Sequence, residues 1–102
     1  RLRCIIEERL DDSELSVEDI CRKIGMGRTT LHLKLTALTG MPITLFVRSL
    51  RLQRAKMLLA TTPLNISEIA YRVGFDNPKY FTRLFTEEFG RPPKTWRQHP
   101  EG

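Results

Sequence analysis

Thr29, His32, Leu33 and Thr36 stand at i, i+3, i+4 and i+7, and the same spacing returns 50 positions later as Lys79, Thr82, Arg83 and Thr86. On a helix that spacing puts four side chains on one face. Hydroxyls, an imidazole, an ammonium and a guanidinium make up seven of the eight, with one leucine among them. Such donors suit an anionic, acceptor-rich partner. A guanine edge takes a bidentate arginine, a thymine methyl takes an apolar contact, and phosphates take lysine. The eight residues are therefore candidates for reading bases in a duplex. Arg28, Lys34, Arg48, Arg51, Asn77 and Lys79 are the candidates for phosphate contact.

Each has a plainer alternative. Arg83 stands four residues before Glu87, so it either grips a guanine or spends its charge on a phosphate or on that carboxylate. Arg48 and Arg51 either line phosphates or tie two parts of the chain together through an acid such as Glu68. Leu33 donates nothing, so it touches a thymine methyl or makes no specific contact. Tyr80 reads as aromatic packing beside Phe81, and Trp96 as core.

The elements that must position these faces are themselves repeated. Ser16, Asp19, Ile20, Ile24 and Gly25 recur 49 positions later as Asn65, Glu68, Ile69, Val73 and Gly74. Leu31, Leu35, Gly40 and Pro42 recur 50 positions later as Phe81, Phe85, Gly90 and Pro92. The additional residue falls between the halves of the second copy, where a turn tolerates it. Each copy reads as a helix, a turn and a second helix, the unit that lays its second helix in a major groove. The spacing predicts helices over about 17–24 and 28–39 in the first copy, with Ser16 and Asp19 as a capping box and Leu31, Leu35 and Leu38 on the core. In the second copy it predicts helices over about 66–73 and 78–89, opened by Asn65 with Glu68 and by Asn77 with Pro78. Leu2, Ile5, Ile6 and Leu10 mark a first helix, and Lys94–Gln98 a last helical turn.

Between the copies, residues 43–59 are apolar nearly all round, from Leu45 and Phe46 to Met57 and Leu59, so this long helix is expected to be buried on several sides and to bridge the modules. About 17 residues at 1.5 Å span roughly 25 Å. With the width of the modules added, the two second helices come to about one DNA turn, roughly 34 Å. The expectation is an all-α fold of about seven helices, two homeodomain-like three-helix modules joined by a bridging helix. Its divisions are 1–42, 43–60 and 61–99, with a tail at 100–102.

Charge agrees with an anionic partner. The 102 residues carry a net +5. Residues 1–20 hold seven acids and three bases, whereas Arg22 to Lys56 holds eight bases and no acid. A one-signed stretch of that length reads as a surface facing phosphates. No apolar run approaches the roughly 20 residues that span a bilayer, so no membrane contact is expected. Cys4 and Cys21 have neither metal-ligand spacing nor a disulfide framework, and Cys21 takes the place of Ala70 as a small apolar residue. His32 and His99 lie far apart, and no nucleophile stands beside a base and its orienter. No catalysis, metal or cofactor is expected.

The second copy, Ile66-Ser-Glu-Ile-Ala-Tyr-Arg-Val-Gly-Phe-Asp-Asn-Pro-Lys-Tyr-Phe-Thr-Arg-Leu-Phe-Thr-Glu-Glu-Phe-Gly-Arg-Pro-Pro93, closely resembles the signature of the AraC/XylS family of bacterial transcription regulators. Arg28-Thr-Thr-Leu-His-Leu-Lys-Leu-Thr-Ala-Leu-Thr-Gly40, followed by Arg51, Leu52 and Ala55, is similar to the family's other half. The resemblance covers essentially the whole chain and is nearest to the C-terminal output domains of two-component regulators, hybrid sensor kinases among them. It implies seven helices, binding to about two turns of promoter DNA, and contact with RNA polymerase. It also implies that the reading helices are those carrying the two stripes. Two positions depart from the pattern: Gly27 where a polar cap is common, and Leu33 where a base is common.

Because the sequence opens on Arg1, a longer parent is expected, with a sensory or dimerisation region elsewhere. That parent would be cytoplasmic and associated with the nucleoid, or membrane-anchored if it is a hybrid sensor kinase. The rival reading is a helical protein-interaction module that docks polymerase subunits or a partner regulatory domain.

Overall fold

A computed structural model of the chain describes residues 2–99, without the side chain of Leu2. The expected tail at 100–102 and the place of Leu2 on the first helix's apolar face lie outside what is described. Among the described residues seven helices follow one another: α1 Leu2–Glu8, α2 Val17–Ile24, α3 Arg28–Thr39, α4 Ile43–Thr61, α5 Ile66–Arg72, α6 Pro78–Phe89 and α7 Pro93–Gln98. The fold is all-α, as the periodicities predict. Among the described residues, no single helix is long and apolar enough to cross a membrane.

Local chemistry sets the helix boundaries. Ser16 accepts from the Asp19 N–H while the Asp19 carboxylate accepts from the Ser16 N–H, and Asn65 and Glu68 repeat the arrangement in front of α5. Each box satisfies two backbone donors that the helix start would otherwise leave orphaned. The backbone N–H of Ser16, then its hydroxyl, hold the Asp19 carboxyl below the ordinary aspartate value. Its contribution is therefore present above the ordinary aspartate range and is lost as pH falls through the lowered value. Gly40 and Gly90 close α3 and α6 at φ 76° and 80°, a left-handed conformation that side chains other than glycine adopt at a cost.

The chain forms two compact units that divide between Leu50 and Arg51. In the first, Ile6, Leu10, Ile20, Leu31, Leu35, Ile43 and Leu50 make the core. In the second, Leu52, Ala55, Leu59, Ile69, Ala70, Val73 and Phe75 close over Phe81, Leu84, Phe85 and Trp96. The Phe85 ring lies 4.6 Å from Phe89 and 6.4 Å from Trp96, both edge-on. Helix α4 supplies residues to both cores. Cys21 packs half-buried on the first core, while Cys4 is exposed.

One apolar expectation fails. Leu38 is 80% exposed, although its spacing puts it on the face of Leu31 and Leu35. Periodicity fixes a side chain's direction, not whether another element covers it, and the last turn of α3 faces an open groove. Helix α4 is buried on several sides as expected, at Ile43, Leu50, Leu52, Ala55 and Leu59, while for the same reason Leu45 is 40% and Met57 55% exposed. The helix also runs on to Thr61, two residues past the expected end, because the Thr61 and Thr62 hydroxyls donate back to the Met57 and Leu58 carbonyls.

Gly27 caps α3 without a side-chain hydrogen bond. A Cβ added there meets nothing within 4 Å, and φ is an ordinary −72°. Gly27→Ser should therefore stabilise the first unit by about 0.5–1 kcal/mol, by adding a cap acceptor and restricting the unfolded chain. Urea denaturation measures it. An unchanged or lower midpoint would show that the serine hydroxyl does not reach the helix.

Candidate nucleic-acid interface

In the first unit, α2 and the turn after it present α3 with Thr29, His32, Leu33 and Thr36 all exposed. Leu31 and Leu35 anchor the opposite side at 1% exposure each. The two faces of one helix are thus divided as the spacing predicts, except at Leu38. Leu33 is 64% exposed, so a large apolar group stands free beside three polar ones.

The starts of three helices meet beside this face. Val17 of α2, Arg28 and Thr29 of α3, and Ile43 and Thr44 of α4 line a cleft of about 380 Å³ with His32. Unsatisfied N–H groups at helix starts favour anions, and Arg28 adds a full charge. Arg28 is held by an ion pair to Glu18, with both side chains well exposed. Such a surface pair is weak and exchanges readily.

Lys34 belongs elsewhere. At 100° per residue it lies about 150° around α3 from the midline of the stripe, and it lines the groove beside Leu38 rather than the cleft. Arg48 and Arg51 are half-buried on α4.

In the second unit, Asn77 fixes the start of α6. Its side-chain oxygen accepts from the Lys79 N–H at 2.9 Å and the Tyr80 N–H at 3.2 Å, with Pro78 in the first turn. That oxygen is committed to the cap, which leaves the carboxamide NH2 as the group able to face a phosphate. Lys79 and Arg83 are exposed, and Thr82 and Thr86 half-buried. The Thr86 hydroxyl donates to the Thr82 carbonyl at 2.7 Å, so towards a partner it offers chiefly its methyl and an acceptor lone pair.

Arg83 is both exposed and engaged. Its Nε lies 3.7 Å from Glu87 Oε2, and its guanidinium stands 5.4 Å from the centre of the Tyr80 ring. Tyr80 in turn meets Phe75 edge-on at 6.4 Å, while staying 43% exposed. The i+4 ion pair weighed against base reading is therefore present. With side chains 69% and 64% exposed it is no obstacle to rearrangement, because such pairs contribute little in water.

One functional arrangement had no signal in residue spacing. Arg97, on α7, donates to the carbonyls of Leu59, Thr62 and Leu64 at 3.1, 3.0 and 2.6 Å. It ties α7 to the end of α4 and the loop leading to α5, and so sets the base on which α6 rests. Among the described residues, no group of three or more His, Cys, Asp or Glu is arranged to hold a metal ion.

Comparison with known proteins places this geometry. The family profile described as a helix-turn-helix domain matches residues 6–99. The chain is 37% identical over 93 residues to histidine kinase P4 of Formosa agariphila, covering 91% of this chain and 7% of that protein. It is 35% identical over 86 residues to the transcriptional activator RhaR of Salmonella dublin, covering 84% of this chain and 30% of the activator. Thus it spans less than a third of the length of either relative. Among solved structures, it matches the C-terminal domain of the two-component response regulator yesN of Fusobacterium nucleatum with a TM-score of 0.84 and 31% identity, over 94% of this chain and 93% of that one. It matches the DNA-binding domain of the global transcriptional factor AdpA, solved with a target DNA, with a TM-score of 0.87 and 25% identity, over 99% and 95%.

Proposed function

Since this chain belongs to the AraC-type helix-turn-helix family, a family of transcription regulators rather than of enzymes, we propose that it binds specific sites in double-stranded promoter DNA, with α3 and α6 each in a major groove and the two grooves successive. The observation that carries this reading is the pair of outward stripes at equivalent positions of two helices, fully exposed on α3 and exposed at Lys79 and Arg83 on α6. Arg83 reads a guanine edge, and Lys79, in the first turn, holds a phosphate. His32 donates to a base edge or phosphate, Leu33 meets a thymine methyl, and Thr29, Thr36, Thr82 and Thr86 fit between them. The cleft at the three helix starts takes a phosphate of the first half-site, with Arg28 released from Glu18. RNA polymerase is the downstream partner. The parent protein works in the cytoplasm within a two-component pathway, and its sensing part lies outside this chain.

Selecting sites from a random duplex pool and footprinting them tests the proposal. The expected product is an asymmetric site with two unlike half-sites about one helical turn apart, because the two stripes differ chemically. A palindrome bound by one monomer would contradict it, and so would failure to bind random duplex at low salt.

Salt dependence is a second expected result. If Arg28, Arg48, Arg51 and Lys79 each neutralise one phosphate, log affinity falls against log salt with a slope of about −3.6. Between about 50 and 200 mM salt the affinity then drops roughly 150-fold. A flat response in fluorescence anisotropy would remove the phosphate contacts from the account.

A further inference from the structure

Leu38 borders a groove of about 510 Å³ within the first unit, walled by Ile24, Met26, Leu35 and Phe46 and rimmed by Arg3 and Lys34. Among the described residues no carboxylate lines it. Among the described residues Lys34 makes no ion pair, and Arg3 shares its charge only with Glu7, at 3.1 Å and in the open. An apolar floor with an ammonium and a guanidinium at its rim is complementary to aliphatic side chains flanked by carboxylates. Its walls are the flanks of helices, and Met26 adds an adaptable side chain, both features of surfaces that receive amphipathic helices.

Position separates this groove from the DNA-reading face. At 100° per residue, Leu38 lies about 180° around α3 from the midline between Thr29 and Thr36. A duplex against the stripe leaves Leu38 uncovered. DNA and a second ligand therefore have opposite sides of one helix available to them.

We propose that this groove docks an acidic amphipathic helix of a partner protein, one with leucine-like residues at i, i+3, i+4 and i+7 and glutamates or aspartates beside them. Only the simultaneous binding of DNA rests on the function proposed above; the docking does not.

The probe is a fluorescein-labelled 18-residue helical peptide with that leucine stripe and flanking glutamates, compared with the same peptide carrying lysines instead. Anisotropy should give saturable binding of the acidic peptide and at least about tenfold weaker binding of the basic one. Leu38→Ser should weaken the acidic peptide about tenfold or more, since it removes an apolar anchor from the groove. Lys34→Glu should reverse the preference between peptides. Leu38 is 80% exposed, so the serine variant should keep the fold, which circular dichroism checks. Affinity for random duplex, measured on the same preparations, should not change with Leu38→Ser, and it reports the DNA reading separately.

Several results would overturn the proposal: no saturable binding, equal affinity for both peptides, or an acidic peptide indifferent to Leu38→Ser. The last would mean that charge alone draws the peptide to the basic reading face. Sedimentation showing a wild-type dimer that Leu38→Ser abolishes would also overturn it, by making a second copy the occupant.

Discussion

Arg97→Met should destabilise the second unit by about 3 kcal/mol, the largest stability change expected of any polar substitution in the chain. The guanidinium donates to three carbonyls, of Leu59, Thr62 and Leu64. Those acceptors belong to the end of α4 and the connection after it, where a helix leaves its last C=O groups unpaired and its dipole is negative. Helix α4 carries no basic residue in its own last turn, so the compensating charge arrives from α7. Charged donors contribute roughly 1.5–3 kcal/mol each when fully desolvated. Arg97 is only half-buried, and water replaces part of what is lost, hence a total well below the sum of three. Methionine keeps the apolar stem, so the loss isolates the hydrogen bonds. Trp96 is the chain's single tryptophan and is buried in the same unit, so its fluorescence follows this transition in urea. Arg97→Lys should recover part of the loss, because an ammonium lacks the planar fork that spans three acceptors. A cost below about 1 kcal/mol for the methionine variant would mean that water serves these carbonyls equally well.

The contrast between Arg97 and the caps shows which parts of this fold are legible in the sequence. Ser16 with Asp19, Asn65 with Glu68 and Asn77 with Pro78 are short-range patterns whose partners are the next few backbone donors. The starts of α2, α5 and α6 follow from them, and glycines at 40 and 90 mark the ends of α3 and α6, whose bounds agree with the sequence reading to the residue. Arg97 bonds to backbone carbonyls 33 to 38 residues away, and a carbonyl has no residue type to betray it. The exposure of Leu38, Leu45 and Met57 is a different matter. Their directions were legible, but burial also requires a neighbour, and that depends on where other helices stop. The candidate site was legible in the same measure. The outward faces of α3 and α6 and the i+4 pairing of Arg83 with Glu87 follow from spacing, whereas the place of Arg83 over the Tyr80 ring, the cleft at three helix starts and the placing of Lys34 beside Leu38 required the packed chain.

Arg83→Ala should weaken binding to the preferred site about 10- to 100-fold, and binding to random duplex only a few-fold. The difference arises because a bidentate contact to guanine contributes roughly 1–3 kcal/mol of discrimination, while one exposed charge among several adds only a share of the nonspecific attraction. Freeing Arg83 from Glu87 and Tyr80 costs little: the ion pair is long at 3.7 Å and both partners are exposed. Folding should not confuse the result, since alanine favours the helix and the Arg83 side chain is 69% exposed. Arg83→Lys is the sharper variant. It keeps the charge and loses the fork, so affinity for random duplex should stay near wild type while the preferred site loses most of its advantage. Competition titrations with the selected site and with that site changed at its guanine measure both terms. If alanine and lysine weaken every sequence alike, Arg83 holds a phosphate and the second half-site is read by other members of its stripe. If lysine spares the random duplex and the guanine change no longer matters to it, the exposed face of α6 reads its half-site through this one guanidinium.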